Sequence, residues 1–144
     1  TYLMVRFIKQ SIGAVDADAL PRLMFKSMTE DGKFARTFLE GSFYRLLEPF
    51  KASIEAADKA GDLVPSPLNS EERLWFSHHM AIVQRLNMLP PEPVFEYRKN
   101  EQALIRDTTW FALRGMGLKD AALEKYLDFE KMTRICERIA KEGC

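Results

Sequence analysis

The longest amphipathic segment of the chain is residues 31–63, DGKFARTFLEGSFYRLLEPFKASIEAADKAGDL. Its apolar residues recur at steps of three and four, which places them on one face of a helix. They are Leu39, Phe43, Leu46, Leu47, Phe50, Ile54 and Ala57. Pro49 lies inside this stripe, and a proline inside a helix removes one backbone hydrogen bond and bends the axis. The segment therefore predicts one long helix, bent at Pro49, whose apolar face covers a core or wraps a cavity.

The rest of the chain has the same helical spacing, and capping and turn residues divide the whole into six predicted helices. The first predicted helix covers residues 1–12 and is ended by Gly13, the second runs from an Asp16 or Asp18 cap to Thr29, and the third runs from Asp31 to about Gly61. The fourth runs from an Asn69 or Ser70 cap to about Met88, and the fifth from about Phe95 to Gly115 or Gly117. The sixth and last is capped by Asp120. The apolar face of the last helix drifts after Asp128, which predicts a kink or a second piece there. The sequence thus predicts an all-α fold, with residues 1–144 forming a single domain.

Composition argues against several classes of function. Lys plus Arg and Asp plus Glu number 21 each, giving a formal net charge of +0, which argues against nucleic-acid binding by this segment itself. The chain contains no run of 18 apolar residues, the length that would indicate a membrane span, so we expect no membrane partner. The two cysteines, Cys136 and Cys144, form neither a disulfide framework nor a zinc pattern, and a reducing cytoplasm is the expected location.

The chain begins at Thr1, and its first residues, TYLMVRFIKQ, have the pattern of a helix interior without a capping residue. A trimmed N-terminus would explain this. We expect instead that a segment upstream of Thr1 is missing.

The fourth predicted helix has an unusually wide apolar face. At 100° per residue its apolar positions spread over roughly 160°. They are Trp75, Phe76, Met80, Ile82, Val83 and Leu86, with Arg73, Ser77, Gln84 and Arg85 on the other side. An arc this wide is more than one neighbour needs, so we expect the helix to contact its own core on one flank and a second subunit on the other.

His79 lies near the centre of that arc and His78 at its edge. Either His79 is a neutral core histidine with a local partner, or it hydrogen-bonds a ligand or titrates near neutral pH. Neighbouring helical positions diverge by about 100°, so the two histidines cannot hold one ion, and no metal site is predicted.

No sequence motif supports catalysis or a bound cofactor. A Gly-rich phosphate loop and a nucleophile motif are both absent, and Gly115-Met116-Gly117 is interpreted as a helix end. We therefore predict that the chain is not an enzyme. Methionine and aromatic residues from three helices suggest instead either a pocket for apolar ligands or a core rich in these residues. They are Met24, Phe25, Met28, Phe38, Phe43, Phe50, Trp75, Phe76 and Met80.

Two stretches resemble the C-terminal effector domain of tetracycline-repressor-like (TetR family) transcriptional regulators. Residues 31–63 are similar to the long central helix of that family, with a D-x-x-x-A turn at its start, a proline partway and A-x-x-A-G-x-L at its end. Residues 110–118, WFALRGMGL, are similar to the end of the penultimate helix. The resemblance covers nearly the whole chain, and the segment after Asp128 departs from the pattern.

The resemblance implies an all-helical domain that dimerises through a four-helix bundle formed by residues 71–88 and 95–115 of each subunit. It also implies an N-terminal helix-turn-helix domain, absent from this chain, which would provide DNA binding. A small ligand inside the bundle would shift the spacing of the two DNA-binding units, a population shift driven by differential affinity.

Together, the pattern and the resemblance predict a homodimeric sensor of a small apolar or aromatic effector. The predicted ligand-binding residues are Met24, Met28, Phe43, Leu47, Phe50, His79 and Ile82. The predicted dimer-interface residues are Trp75, Phe76, Val83, Leu86, Leu104, Thr108, Phe111 and Ala112. The alternative is a stand-alone helical dimer that acts as a protein-interaction module without a ligand.

Overall fold

The computed structural model describes residues 1–13 and 19–141, apart from the side chains at positions 10, 13, 42 and 139–141. This part of the chain contains helices and no β-strand, which confirms the all-α prediction. The helices are α1 Tyr2–Gly13, α2 Ala19–Thr29, α3 Lys33–Ser42, α4 Tyr44–Lys59, α5 Ser70–Asn87, α6 Glu101–Gly115, α7 Asp120–Tyr126 and α8 Phe129–Lys141. The predicted Asp16 or Asp18 cap and Cys144 lie outside the described residues. No described helix combines the length and the apolar character that a membrane span requires.

The central element of the fold is α1, which packs against α5, α6 and α8. Val5, Ile8 and Ile12 on its inner face are completely buried. These positions follow the spacing that brings residues onto one face of a helix, and Ile8 and Ile12 join Leu104 and Leu113 of α6 in one hydrophobic core. Burial of this apolar face stabilises the fold.

The single bent helix predicted over residues 31–63 is wrong, because the structure has two helices, α3 and α4, interrupted at Phe43. The Leu46 N–H donates to the carbonyl oxygen of Phe43 at 2.9 Å, a tighter turn than that of an α-helix. Gly41 and Ser42 immediately precede the interruption, and such Gly/Ser pairs are common sites of helix kinks. Pro49, by contrast, lies inside α4 without ending it.

The fifth predicted helix begins later than expected, at Glu101 instead of Phe95. The Asn100 side chain accepts a hydrogen bond from the Ala103 N–H at 2.9 Å and so caps the N-terminus of α6. The Asn87 side chain holds the Phe95 backbone by accepting from its N–H at 2.6 Å and donating to its carbonyl at 2.9 Å. These bonds hold Phe95 outside the helix, in the connecting segment of residues 88–100.

The predictions for the other helix ends are mostly confirmed. Asn69 caps α5 in a capping box with Glu72. The predicted break after Asp128 is also present, since α8 begins at Phe129 and the Asp128 carboxylate accepts from the Lys131 N–H at 2.9 Å. The predicted cap at Asp120 is wrong by one residue, because Lys119 is the N-cap of α7.

Candidate ligand-binding site

A partly open cavity of about 230 Å³ lies between α1, α2, α3 and α5, and we call it the α2 cavity. Its walls are apolar and aromatic except for Ser11, His78, His79 and Arg85. The other lining residues are Phe7, Leu20, Pro21, Met24, Phe25, Met28, Phe38, Leu39, Trp75 and Ile82. A concave apolar space with a few polar groups is the usual form of a small-molecule site.

The outer wall of the cavity is α2, which packs chiefly against α3. Among the α2 residues, all of which the structure describes, only Ser27 is buried. Its hydroxyl accepts a hydrogen bond from the Ala35 N–H at 3.1 Å and fixes α2 to α3. Leu20 and Met28 remain 44% and 55% exposed beside the cavity. The Arg22 guanidinium provides a second attachment of α2 by donating to the Leu89 carbonyl oxygen. A helix with so few buried side chains belongs to the less stable part of a fold.

His78 forms the polar part of the inner wall and is only 9% exposed. Its ring stacks on Phe7 at a centroid distance of 5.1 Å and meets Phe43 edge-on at 4.7 Å. Its Nδ1 atom is buried without a hydrogen-bond partner. Burial, and to a smaller extent the charge of His79, lower the pKa of His78 from 6.5 to about 4. The imidazole is therefore neutral near pH 7.

The structure brings together four of the residues predicted to bind ligand, namely Met24, Met28, His79 and Ile82, around the α2 cavity. The other three lie elsewhere. Phe43 and Leu47 are buried in the hydrophobic core, and Phe50 lines a second cavity.

This second cavity, the α4 cavity, has a volume of about 370 Å³ and lies between α4 and the first turn of α1. Phe50, Ile54 and Ala57 line it from α4, and Tyr2 lines it from α1. The Tyr2 hydroxyl is buried without a hydrogen-bond partner. No histidine lines the α4 cavity, and the methionines that line it are Met4 and Met116.

The orientation of α5 differs from the sequence-based expectation. The predicted outer side is buried, since Arg73, Ser77 and Arg85 lie among the core residues with His78. The Arg73 guanidinium donates to the carbonyl oxygens of Leu68 and Met116, which satisfies its polar atoms. The apolar arc instead faces the α2 cavity and the molecular surface. Hydrophobic periodicity predicted the wrong buried face for α5 because Arg73 and Ser77 can be buried by bonding to backbone carbonyls.

The residues predicted for a dimer interface divide into three groups. Phe76, Val83 and Phe111 are each more than half exposed, and Leu86 is 42% exposed. Trp75 lines the α2 cavity. The remaining three, Leu104, Thr108 and Ala112, are buried within the protomer.

The α2 cavity offers apolar contact and hydrogen bonding. Among the described residues, no three His, Cys, Asp or Glu side chains are close enough to hold a metal ion. His78 lies among aromatic rings instead of beside a carboxylate. This arrangement suits the binding of a molecule with a largely apolar surface.

Comparisons of the chain with protein-family models, curated proteins and solved structures find no match.

Proposed function

We propose that this chain is the ligand-sensing and dimerisation domain of a TetR-like transcriptional regulator. The observation that carries the proposal is the α2 cavity, a partly open space of about 230 Å³ lined by methionine and aromatic side chains of four helices. The resemblance of residues 31–63 to the family's central helix supports the same assignment.

The proposed effector is a small apolar or aromatic molecule. The cavity is smaller than the roughly 300–1,000 Å³ of common ligand pockets, which favours a compact ligand. Met24 and Met28 line its α2 wall, and methionine side chains adjust to ligands of different shape.

In the proposed mechanism, the ligand changes the position of α1 relative to α5. Both helices line the α2 cavity, α1 through Phe7 and Ser11 and α5 through Ile82. A ligand that binds one arrangement of these helices more tightly shifts the population towards it. DNA binding belongs to the N-terminal domain that the resemblance implies, which α1 would join to the sensor.

The proposed homodimer uses the outer face of α5 and α6. Phe76 and Val83 of α5 and Phe111 of α6 are exposed there. Met80 lies between the two helices, in shallow grooves also lined by Phe111. Exposed apolar clusters of this kind are typical of protein interfaces.

A thermal-shift screen of small aromatic compounds tests the ligand proposal. We expect at least one compound to raise the Tm of the wild-type chain. Met24→Trp, which fills the α2 cavity, should abolish that shift, whereas Ile54→Trp in the α4 cavity should retain it.

A shift that survives Met24→Trp would contradict the assignment of this cavity. If no compound stabilises a chain that is dimeric in solution, the alternative of an interaction module without a ligand would be favoured.

A further inference from the structure

The ring nitrogen Nδ1 of His78 is a buried polar atom without a partner. An unsatisfied buried polar group is costly, and native proteins rarely retain one without a reason. The three aromatic rings nearest to it cannot satisfy it. Phe7 and Phe43 have no hydrogen-bonding atom, and the indole N–H of Trp75 already donates to Glu71 at 3.4 Å.

His78 lines the α2 cavity. Its Nδ1 atom is buried, but a half-turn of the imidazole about χ2 exchanges Nδ1 with Cδ2 and Nε2 with Cε1, so the ring edge that faces the cavity can present a nitrogen to a bound molecule. Because burial and the charge of His79 lower the pKa of His78 to about 4, the ring has one N–H donor and one acceptor near pH 7.

We propose that the ligand of the α2 cavity is an aromatic or apolar alcohol or phenol whose hydroxyl group hydrogen-bonds to the His78 imidazole. This inference depends on the proposed function of the α2 cavity as the effector site. A hydroxyl group fits because it can donate to, or accept from, a neutral imidazole.

A carboxylate ligand fits the site less well. It would lose its hydration in the apolar cavity and need a cation in return. His78 is neutral, and the buried Arg85 guanidinium is already engaged in an interaction within the protein. The polar part of the cavity therefore selects a neutral group.

Two matched pairs of probes test this inference by isothermal titration calorimetry at pH 7.5. They are 2-naphthol against 2-methylnaphthalene, and 4-ethylphenol against 4-ethyltoluene, so that a hydroxyl replaces a methyl group of similar size. We expect the hydroxylated member of at least one pair to bind about tenfold more tightly to the wild-type chain, the effect of one buried hydrogen bond.

His78→Phe should remove this preference while retaining binding of the methyl compound. Tyr97→Phe is the control for the loss of a polar atom from an aromatic ring, because Tyr97 lies outside the α2 cavity. It should keep the preference.

Should His78→Phe fail to fold, ¹⁵N NMR of histidine-labelled wild-type protein provides the same test. The phenol should shift the His78 ring nitrogens and the methyl compound should not.

Three results would each overturn the role of His78 and leave the cavity as an apolar site. They are equal binding within both pairs, a preference that survives His78→Phe, and no change in the ¹⁵N chemical shifts of the His78 ring when the phenol is added. If no probe binds, both the role of His78 and the ligand site itself fail.

Discussion

His78 makes the stability of this domain depend on pH. Its folded-state pKa of about 4 lies below the ordinary value of 6.5, so the unfolded chain binds a proton that the folded chain does not. Its contribution is fully present above pH 6.5 and is lost as the pH falls towards 4. At about 1.4 kcal/mol per pKa unit, we expect up to about 3 kcal/mol of destabilisation over this window, measured by urea unfolding at several pH values.

The His78→Phe variant isolates this contribution. Carboxylates also titrate near pH 4, but they do so in both proteins, so the difference in unfolding free energy between wild type and variant reports the histidine alone. A difference that does not change between pH 7 and pH 4 would show that His78 titrates in the folded chain as it does in the unfolded one.

Gly117 is a second residue on which the fold depends. It has a φ angle of 98°, which other residues rarely adopt, and an added Cβ would lie 2.7 Å from the Arg73 Nη1 atom. That guanidinium donates to the Met116 carbonyl at the end of α6. We expect Gly117→Ala to lower the unfolding free energy by about 2–4 kcal/mol, through backbone strain and loss of this bond, as measured by chemical denaturation.

Gly115 provides the matched control two residues away. An added Cβ there meets no atom within 4 Å, and the residue is the last of α6. Gly115→Ala should change stability by less than about 1 kcal/mol, in the stabilising direction. Equal losses for the two alanine variants would contradict the role assigned to Gly117.

At the scale of the helices, α5 depends on its N-terminal cap. The Asn69 side chain accepts from the Glu72 N–H at 2.9 Å, and the Glu72 carboxylate accepts from the Asn69 N–H at 2.9 Å. Asn69→Ala should cost about 1 kcal/mol of stability, seen as a lower midpoint of urea unfolding.

Asn69→Asp and Asn69→Ser retain a side-chain oxygen that can accept from the Glu72 N–H and should remain close to wild type. Losses in these two variants as large as that of the alanine variant would mean that Asn69 acts through something other than the cap.

Helix ends could be predicted from the sequence where a local cap determines them. Asn69 and Asp128 both hold a backbone N–H three residues ahead, so the start of α5 and the break before α8 follow from nearby residues. The start of α6 also has a local cap, because the Asn100 side chain accepts from the Ala103 N–H, and the sequence pattern missed it. Sequence spacing does not reveal the bonds from Asn87, in the previous helix, to the Phe95 backbone.

The same limit applies to the candidate site. Met24 and Met28 could be assigned to a pocket because they face one side of α2, whereas Phe43 and Leu47 have the same apolar character and lie in the core. The rotation of α5 about its own axis determines which of the two neighbouring histidines is buried, and in the structure it is His78 and not His79. That rotation depends on Arg73, whose polar atoms bond to carbonyls in two distant segments.

At the scale of the whole molecule, the exposed face of α5 and α6 should hold two copies together. Phe76 and Phe111 are 57% and 63% exposed, and burying one such side chain contributes about 1.5–3 kcal/mol. We expect the wild-type chain to be a dimer at micromolar concentration by light scattering. Phe76→Asp and Phe111→Asp should each weaken the dimer by about 100-fold.

Leu46→Asp is the control for added charge, because Leu46 is a 41% exposed apolar residue on α4, away from this face. It should remain dimeric. A monomeric wild-type chain, or dimers that persist in both phenylalanine variants, would contradict the assignment of this face.

The most direct test of the regulator proposal is to read the coding sequence upstream of Thr1. We expect roughly fifty to seventy codons of a basic three-helix segment with a helix-turn-helix pattern, which would supply the DNA-binding unit that a sensor of this kind controls. A start codon immediately before Thr1 would contradict the proposal and favour the interaction module.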